Sequence, residues 1–600
     1  MDFPRLERIN ELSREWFNYL QGNYRYFGYL PVTRPSGEPF VNALNETLGR
    51  FDTFIMGDGG VKTRIAGLRE AIGFEQATLD LCIEYVARRM NTGCVRLPKD
   101  DAVMLDLFYN HVVQPAVTML HSSVQVLVAM HPDLFEVEKK IAAVGLDLCP
   151  LFDTLFTKWW QWVVIPQRTS SLGKQRVSEI IRKANKTNRW SVLMYSGWQP
   201  IEWPLTEEFL AGAVEVPLFN AFPDELKEAC VILESLGRDT SFGEGEKDYL
   251  DYFRALCLAL RQTELSQMGP FWLEADKAFV AIRNNRRIIP VHMMEWGYHD
   301  PERISPEFRL MLRTAEYSKE LSLMRSAMVG FGREVDGESA ETAINRVDIG
   351  VFLTLAFSGC NLDLRIAGQT LPNSPEVQEL GLKVFLDSDS MARRFERFQE
   401  LARKTLDVPT LAWVEKALTP EFSYLLVIGH ELWHPLGVTR QLINAFGPDQ
   451  AAVEEAKATL FGIAGICRAI QSGELGNDRA KEFRQLSAIV LIDAVRMMDK
   501  GSFGDETLAP YVNESLVILT ILQAAGILRI SEDGKLAMDE GVAGSEKPFE
   551  CIYGLGTERL IAIYKAEDLS GLLRFASELA NKEGEVAKAF FRAINEHIGA

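Results

Sequence analysis

The sequence predicts a mainly α-helical fold with a smaller mixed or β lobe and an extra all-helical N-terminal domain. Three observations carry this prediction. The chain has 600 residues, which is more than one ordinary core accommodates. Long apolar-rich segments with almost no Gly occur towards both ends, whereas Gly and Pro punctuate the middle. The composition, 47% hydrophobic and 24% charged, is typical of a globular protein.

The first half of the chain divides into three predicted parts. Residues 1 to 165 are expected to form a helical domain of unknown role, because segments such as "DAVMLDLFYNHVVQPAVTML" are apolar and lack Gly. Residues 166 to 190 are strongly basic and are interpreted as a linker or a docked helix. Residues 191 to 305 are broken by Gly and Pro, which favours a mixed lobe of strands and loops over a helical bundle.

The remainder, residues 306 to 600, is predicted to be a mainly helical lobe that binds zinc. Helices are expected to dominate from about 306 to 358 and from 390 to 600. The intervening "RIAGQTLPNSPEVQELGLKVFLD" is interpreted as a loop and a short strand. Neither GxxxxGK[ST] nor GxSxG occurs in the chain, so a metal site is the remaining candidate for chemistry.

Charge and targeting signals limit the possible partners. A net charge of −19 argues against nucleic acid or an anionic membrane. No apolar run reaches the ~18 residues that a spanning helix needs, and the start of the chain lacks the apolar core of a secretion signal. The eight cysteines form no CxxC pair, which favours reduced thiols. A cytoplasmic protein is therefore expected, with its oligomeric state left open.

The segment "LTPEFSYLLVIGHELWHPLG" predicts a helix that can bind a metal. Thr419 can cap it, Pro420 suits its first position, and the proline after His434 favours an end there. His430 and His434 are one turn apart and can share one zinc ion. Glu431 lies about 100° round the helix, beside the open coordination position, where it can take a proton from water.

A third zinc ligand is expected from "GPDQAAVEEAKATLFGIAGICRAI". Pro448 and Asp449 are predicted to open a second helix, on which Glu454 and Glu455 follow. Two adjacent helical residues cannot both face one ion, so one carboxylate is expected to bind the metal and the other to orient a ligand. This reasoning predicts one zinc ion per chain and leaves open which glutamate binds it.

These segments resemble the dipeptidyl peptidase III family of zinc metallopeptidases, as a divergent, bacterial, HExxH-type relative. "HELWH" followed by "EEAKA" is similar to the family's two metal-binding motifs, and "GQTLPNSPEVQELGLKVFLDS" looks like its substrate loop. Weaker matches are "MMEWGYHDPERISPEF" and "LVILTILQAAGIL". The resemblance covers about residues 290 to 530 and implies two lobes around a wide cleft, one mostly helical and one with a β-barrel.

The resemblance also implies a role for each matched residue. The zinc ligands would be His430, His434 and Glu455, with Glu431 as the general base and Glu454 as the carboxylate that holds a ligand histidine. The residues implied to contact substrate are Asn373 at its backbone or amino terminus, Glu295 near its amine, and Tyr298 at the oxyanion.

This sequence departs from the family pattern at several positions. Thr370 stands where the substrate loop has its first Asn, and Thr459 replaces the acidic residue that closes the second motif. Around "YVNESLVILT" the family has a His and an Arg, whereas Tyr511 and Ser515 stand here. Loss of that Arg removes a fixed positive charge from the substrate carbonyl or carboxylate, which bears on whether dipeptides are released.

The leading hypothesis is a zinc-dependent hydrolase of amide bonds that acts on short peptides through metal-activated water. One alternative is a zinc enzyme of specialised metabolism that acts on a non-peptide or modified amide. Another is a metal-binding scaffold without catalysis. Glu431 weighs against the scaffold, because a structural zinc site usually has four protein ligands and no free carboxylate beside the metal.

Overall fold

The computed structural model describes residues 134–159, 191–194, 214–239, 242–294, 306–358, 368–372, 375–378, 380–434, 450–498, 509–566, 568–579 and 584–598, with positions 121, 125, 128 and 129. The predicted N-terminal domain therefore lies largely outside the described residues, and the basic linker entirely so. The chain forms two compact units. Unit 1 comprises the described residues of Met1–Thr314 and Phe352–Arg365, and unit 2 those of Ala315–Val351 and Ile366–Ala600.

Unit 1 combines helices with short antiparallel strands. Its described elements are α1 (Glu136–Trp159), β1 (Ser191–Met194), β2 (Val214–Pro217), α2 (Leu218–Ala221), α3 (Pro223–Gly237), α4 (Lys247–Leu260), α5 (Leu265–Ala281), β3 (Ile288–Met294) and β4 (Pro306–Arg313). Strand β1 pairs with β2, and β3 pairs with β4. Strand β4 also pairs, antiparallel, with the Phe352–Phe357 part of a long strand, β5 (Val347–Phe357).

Unit 2 is mainly helical and contains the sequence predicted to bind zinc. Its described elements, besides the start of β5, are α6 (Ser318–Asp336), α7 (Glu338–Asn345), β6 (Gly368–Leu371), α8 (Pro375–Gln378), β7 (Leu382–Asp387), α9 (Ser388–Thr405), α10 (Val408–Ala417), α11 (Pro420–Trp433), α12 (Gln450–Ser472), α13 (Arg479–Met497), α14 (Ala509–Ala524), β8 (Leu528–Ile530), β9 (Leu536–Met538), α15 (Glu540–Ala543), α16 (Lys547–Ile552), α17 (Glu558–Lys565), α18 (Leu569–Leu579) and α19 (Glu585–Ile598). The strand order in this unit is β5-β7-β6, with β6 and β7 antiparallel. These helices enclose one large apolar core.

The described residues confirm a mainly helical fold with a curled mixed sheet. The four-part domain division remains a prediction, because most of residues 1 to 165 and all of residues 166 to 190 lie outside the described residues. No helix among the described residues is both long enough and apolar enough to cross a bilayer.

The expectation that helices dominate residues 306 to 358 was wrong at both ends. Strands β4 and β5 occupy Pro306–Arg313 and Val347–Phe357, with helices α6 and α7 between them. The β5 sequence "VDIGVFLTLAF" is a nearly continuous apolar run. Periodicity cannot separate a strand that is buried on both faces from a buried helix, and here strand pairing decided the outcome.

The opposite error affected residues 191 to 305, which were expected to be strands and loops rather than a bundle. Helices α3, α4 and α5 occupy most of the described residues there. Pro223 lies in the first turn of α3, where proline is tolerated, and Pro270 lies inside α5. Because these helices accommodate proline, its frequency in the region did not exclude helices. The segment after residue 360 also has two strands, β6 and β7, where one was expected.

Candidate metal centre

Helix α11 begins as its sequence predicts. The Thr419 side chain accepts a hydrogen bond from the backbone nitrogen of Phe422, and Pro420 occupies the first turn. The helix ends at Trp433, with His434 as the capping residue in helical conformation. Because His434 keeps that conformation, its side chain stays one turn from His430 on the same face.

Helix α12 crosses α11 at a pair of glycines. A Cβ atom on Gly462 would lie only 2.8 Å from the backbone nitrogen of His430 and from the carbonyl carbon of Gly429. A Cβ on Gly429 would lie 3.2 Å from the Cα of Gly462. Only glycine at these positions permits such a close approach. The crossing brings Glu455, two turns before Gly462 on α12, opposite the histidines.

Three side-chain atoms converge between the two helices. Glu455 Oε2 lies 3.1 Å from His430 Nε2 and 4.0 Å from His434 Nε2. The two Nε2 atoms are 3.1 Å apart. Donors arranged tetrahedrally at zinc bond lengths are about 3.3 Å from one another. The donor set therefore suits a zinc ion, with two sides of the triangle close to this spacing and the side from His434 to Glu455 longer.

The electrostatic environment of this triangle favours a cation. Burial alone would lower the pKa of His430, but the hydrogen bond and negative charge of Glu455, together with the charge of Glu431, raise it overall. A site that favours a proton on a buried imidazole also favours a metal ion in its place.

The second predicted glutamate, Glu454, lies behind His434. Its Oε1 is 3.3 Å from His434 Nδ1 and also 2.7 Å from the buried ammonium of Lys457. When His434 donates its Nδ1 proton to Glu454, its Nε2 lone pair faces the triangle. Thus Glu455 rather than Glu454 points at the common centre, which is the arrangement that the family resemblance implies.

Glu431 lies next to the triangle and is held by strand β6. One ligand atom each from His430, Glu431 and His434 lies within 4.8 Å of the others. The Thr370 hydroxyl donates to Glu431 Oε2 at 2.6 Å. A Cβ atom on Gly368 would lie 2.6 Å from Glu431 Oε1, so glycine at this position leaves room for the carboxylate.

Sequence reasoning missed Glu514, which lies on α14 near the same centre. Glu514 Oε2 accepts a hydrogen bond from Thr459 Oγ1 at 3.0 Å, and Thr459 Oγ1 is 2.8 Å from His430 Nδ1. Burial raises the pKa of Glu514 well above its usual range, and the charges of Glu455 and Asp493 raise it further. The available signal was the polar triplet "NES" within an otherwise apolar helix.

A pair of arginines was also missed. Arg394 on α9 and Arg496 on α13 both bind Asp493, at 2.8 Å and 3.0 Å. Burial lowers the pKa of Arg394 to about 10, which leaves it charged at neutral pH, and this charge interacts with Glu431 and Glu514. Unit 2 therefore has fixed positive charge near the candidate general base, although α14 lacks the expected Arg.

The three residues expected to contact substrate, Glu295, Tyr298 and Asn373, lie outside the described residues. Their roles remain predictions. The described structure thus brings together the five residues of the two metal-binding motifs and places Thr370 of the substrate loop against Glu431.

Comparison with known proteins identified similar solved structures. No protein-family model and no curated protein matched the chain. The dipeptidyl peptidase III structure from Caldithrix abyssi aligns with a TM-score of 0.56 and 15% identity, covering 77% of this chain and 94% of that one. The described chain has a dipeptidyl peptidase III fold. A second such structure, from Corallococcus sp. strain EGB, has the same score and identity over 81% of this chain and 99% of its own.

The structural match confirms the resemblance at the level of the fold. At 15% identity the match concerns the dipeptidyl peptidase III architecture alone. Zinc binding, activity and substrate depend on the particular residues of this chain.

Proposed function

We propose that this chain is a zinc-dependent hydrolase of amide bonds, and specifically a dipeptidyl-peptidase-III-like peptidase that acts on short peptides. The observation that carries the proposal is the convergence of His430 Nε2, His434 Nε2 and Glu455 Oε2 with Glu431 alongside. Three protein donors with a free carboxylate next to them are typical of catalytic zinc sites and not of structural ones.

The ligands to one zinc ion would be His430, His434 and Glu455. When bound, zinc supplies the Lewis acidity that polarises a peptide carbonyl and acidifies water. The chain's own contribution is positional: Glu454 orients His434, and Glu455 provides negative charge that offsets the cation.

Glu431 acts as the general base in this proposal. It takes a proton from the attacking water and returns it to the leaving amine, which becomes a neutral amino group. The hydroxyl of Thr370 holds Oε2 of this carboxylate, which leaves Oε1 for the proton transfer. The predicted contribution of Tyr298 to the oxyanion, and of Asn373 and Glu295 to substrate binding, belongs to the same proposal, as do the short-peptide substrate and the cytoplasmic location.

The test combines metal analysis with turnover of a mixed peptide library. The purified protein is expected to contain about one equivalent of zinc, and wild type is expected to release dipeptides. Glu431→Gln should retain zinc but hydrolyse peptides about 10²- to 10⁴-fold more slowly, since general-base catalysis contributes about that factor. Glu421→Gln, an exposed glutamate in the first turn of the same helix, is the matched control and should behave as wild type.

The outcomes separate the alternatives. Less than about half an equivalent of zinc would contradict every function based on the metal. Bound zinc with intact peptides, but with hydrolysis of small or modified amides that depends on Glu431, would favour specialised metabolism. Bound zinc without any turnover would favour a scaffold.

A further inference from the structure

We infer that Thr459 and Glu514 act together as a positioning pair that holds His430 in the metal-binding tautomer. The inference rests on the proposed metal site, and it concerns how this chain orients one of its ligands. Thr459 stands where the family pattern has an acidic residue, so the threonine by itself supplies no carboxylate behind His430.

The hydrogen-bond directions follow from counting protons. Glu514 Oε2 is the acceptor of this contact whether or not Oε1 carries a proton, so the Thr459 hydroxyl donates its one proton to it at 3.0 Å. Its 2.8 Å contact with His430 Nδ1 must then be one in which the imidazole donates. A histidine protonated at Nδ1 has its lone pair on Nε2, which is the atom that lies 3.1 Å from Glu455 Oε2.

The pair is buried, and this increases its effect. Thr459 and Glu514 are each 6% exposed, so water cannot readily replace either partner. A buried donor or acceptor that loses its partner costs more than an exposed one. The carboxylate comes from a third helix, α14, so the orientation of His430 depends on the packing of α11, α12 and α14 together.

The two histidines are therefore oriented by different hydrogen-bond partners. His434 contacts the carboxylate of Glu454 directly at 3.3 Å, on the helix that also provides Glu455. On its Nδ1 side, His430 contacts the Thr459 hydroxyl, which in turn contacts the carboxyl group of Glu514. This arrangement makes a specific claim about Thr459: a hydroxyl at this position is required, whereas the methyl group is not.

The experiment measures metal binding, which is independent of turnover. Zn²⁺ dissociation constants are determined by competition with a chromophoric chelator, and the absorption spectrum of the Co²⁺-substituted protein reports ligand geometry. Thr459→Val keeps the side-chain shape but removes the hydroxyl, and should weaken Zn²⁺ binding about 10- to 100-fold and change the Co²⁺ spectrum. Thr459→Ser restores the hydroxyl and should restore both.

Two further variants test whether the residues act as a pair. Glu514→Leu removes the acceptor from α14 and should weaken Zn²⁺ binding similarly, so it carries the test even if the valine variant does not fold. The double variant should be no weaker than the more affected single variant, because both remove the same connection. Thr557→Val removes a buried hydroxyl that donates to the Leu460 carbonyl in the same unit, and should leave the Zn²⁺ affinity unchanged.

Failure of this inference is distinguishable from failure of the proposed function. If wild type binds about one equivalent of Zn²⁺ and Thr459→Val binds it with the same affinity and Co²⁺ spectrum, the pair has no positioning role and the metal site stands. Equal losses in Thr459→Val and Thr557→Val, or additive losses in the double variant, would also overturn it. If wild type does not bind Zn²⁺, the proposed function itself is wrong.

Discussion

At the scale of single residues, the position of Glu431 depends on strand β6, a segment distant in sequence. Thr370 donates a hydrogen bond to Oε2, and the absence of a side chain at Gly368 leaves space for Oε1. The sequence indicated Glu431 as the base from the motif alone. It could not indicate that a glycine and a threonine about sixty residues earlier would hold this carboxylate.

Substitution of Gly368 by Ala should impair catalysis and leave metal binding intact. The new Cβ would lie 2.6 Å from Glu431 Oε1 and 2.8 Å from Val427 Cγ1, so the carboxylate must move. A displacement of about 1 Å in a catalytic group can cost about 100-fold in rate. We expect peptide hydrolysis to fall by about 10- to 100-fold at unchanged Zn²⁺ affinity, as measured by steady-state kinetics and chelator competition.

A control for this prediction is Gly554→Ala, where a Cβ would have no neighbour within 4 Å. That variant should retain wild-type kinetics. Wild-type kinetics in Gly368→Ala as well would show that the carboxylate has more freedom than the structure indicates.

At the scale of elements, the site depends on how closely α11 and α12 cross. The glycine pair Gly429 and Gly462 allows backbone contact at that crossing, and the ligands of each helix lie within two turns of it. Sequence alone predicted both helices and placed the candidate ligands on them. The sequence did not indicate that these glycines set the distance between the two helices, because a glycine within a helix can serve several different structural roles.

We expect Gly462→Ala to weaken both folding and metal binding. Its Cβ would lie 2.8 Å from backbone atoms of Gly429 and His430, which cannot move independently of α11. Overpacking of this kind costs about 1–3 kcal/mol. The free energy of unfolding from denaturant titration and the Zn²⁺ dissociation constant should both change.

The matched control is Gly330→Ala on α6, where a Cβ meets nothing within 4 Å. Alanine inside a helix should stabilise the protein by about 0.4–1 kcal/mol and leave Zn²⁺ affinity as it was. If Gly462→Ala behaves like this control, the glycine crossing does not determine the geometry of the site.

Unit 1 has its own electrostatic link between elements, at Asp248 on α4. Its carboxylate accepts hydrogen bonds from the Arg283 backbone nitrogen at 3.0 Å and from Arg286 Nη2 at 2.7 Å. Burial alone would raise the pKa of Asp248, but Arg286 and then Arg283 lower it to about 2. The folded state thus favours the ionised carboxylate more than the unfolded state does.

The stability from this link should depend on pH with a defined sign. Because the folded pKa lies below the unfolded one, the contribution is present at neutral pH and is lost as the pH falls from about 4 towards about 2. We expect Asp248→Asn to cost about 1–2 kcal/mol at pH 7, a value reduced for screening of the half-exposed Arg283. In denaturant titrations the difference in free energy of unfolding between wild type and Asp248→Asn should decrease by about 1 kcal/mol between pH 5 and pH 3.

The control on the same helix is Asp251→Asn, which removes an exposed pair with Arg254 at 3.8 Å. Exposed pairs contribute little, so this variant should match wild type at every pH. If the free energy of unfolding of Asp248→Asn differed from that of wild type by the same amount at every pH, ionisation of Asp248 would not be the source of the stability.

At the scale of the whole molecule, the proposed metal ligands lie on two helices of unit 2, α11 and α12. Two imidazole nitrogens and the Glu455 carboxylate face a common centre, where a cation would offset the buried negative charge. Binding of zinc to the folded state alone would therefore stabilise the protein by linkage.

We expect removal of the metal to lower the melting temperature, and stoichiometric Zn²⁺ to restore it. At a free Zn²⁺ concentration about 100-fold above the dissociation constant, linkage contributes about 2.7 kcal/mol. The measurement is differential scanning calorimetry of wild type and of Glu455→Gln, before and after dialysis against a chelator. An equal response in both would show that Glu455 is not a ligand.

The sequence by itself determined which donor groups the candidate centre offers. It indicated two histidines one turn apart, a candidate base between them and a following helix with two glutamates. It also predicted that α11 begins at Pro420 with Thr419 as its cap, because helix capping and proline placement are local properties. The resemblance to the dipeptidyl peptidase III fold could also be recognised from the sequence, since the motifs occur in order along the chain.

Only the tertiary structure decided which atoms meet. The position of Glu455 at the centre, the contact of Thr370 with Glu431, and the connection from His430 through Thr459 to Glu514 all join segments far apart in sequence. The strands β4 and β5 were also misjudged, because pairing with distant segments determines whether a buried apolar run becomes a strand. Local sequence specifies the donor groups, whereas packing of separate elements specifies the distances between them.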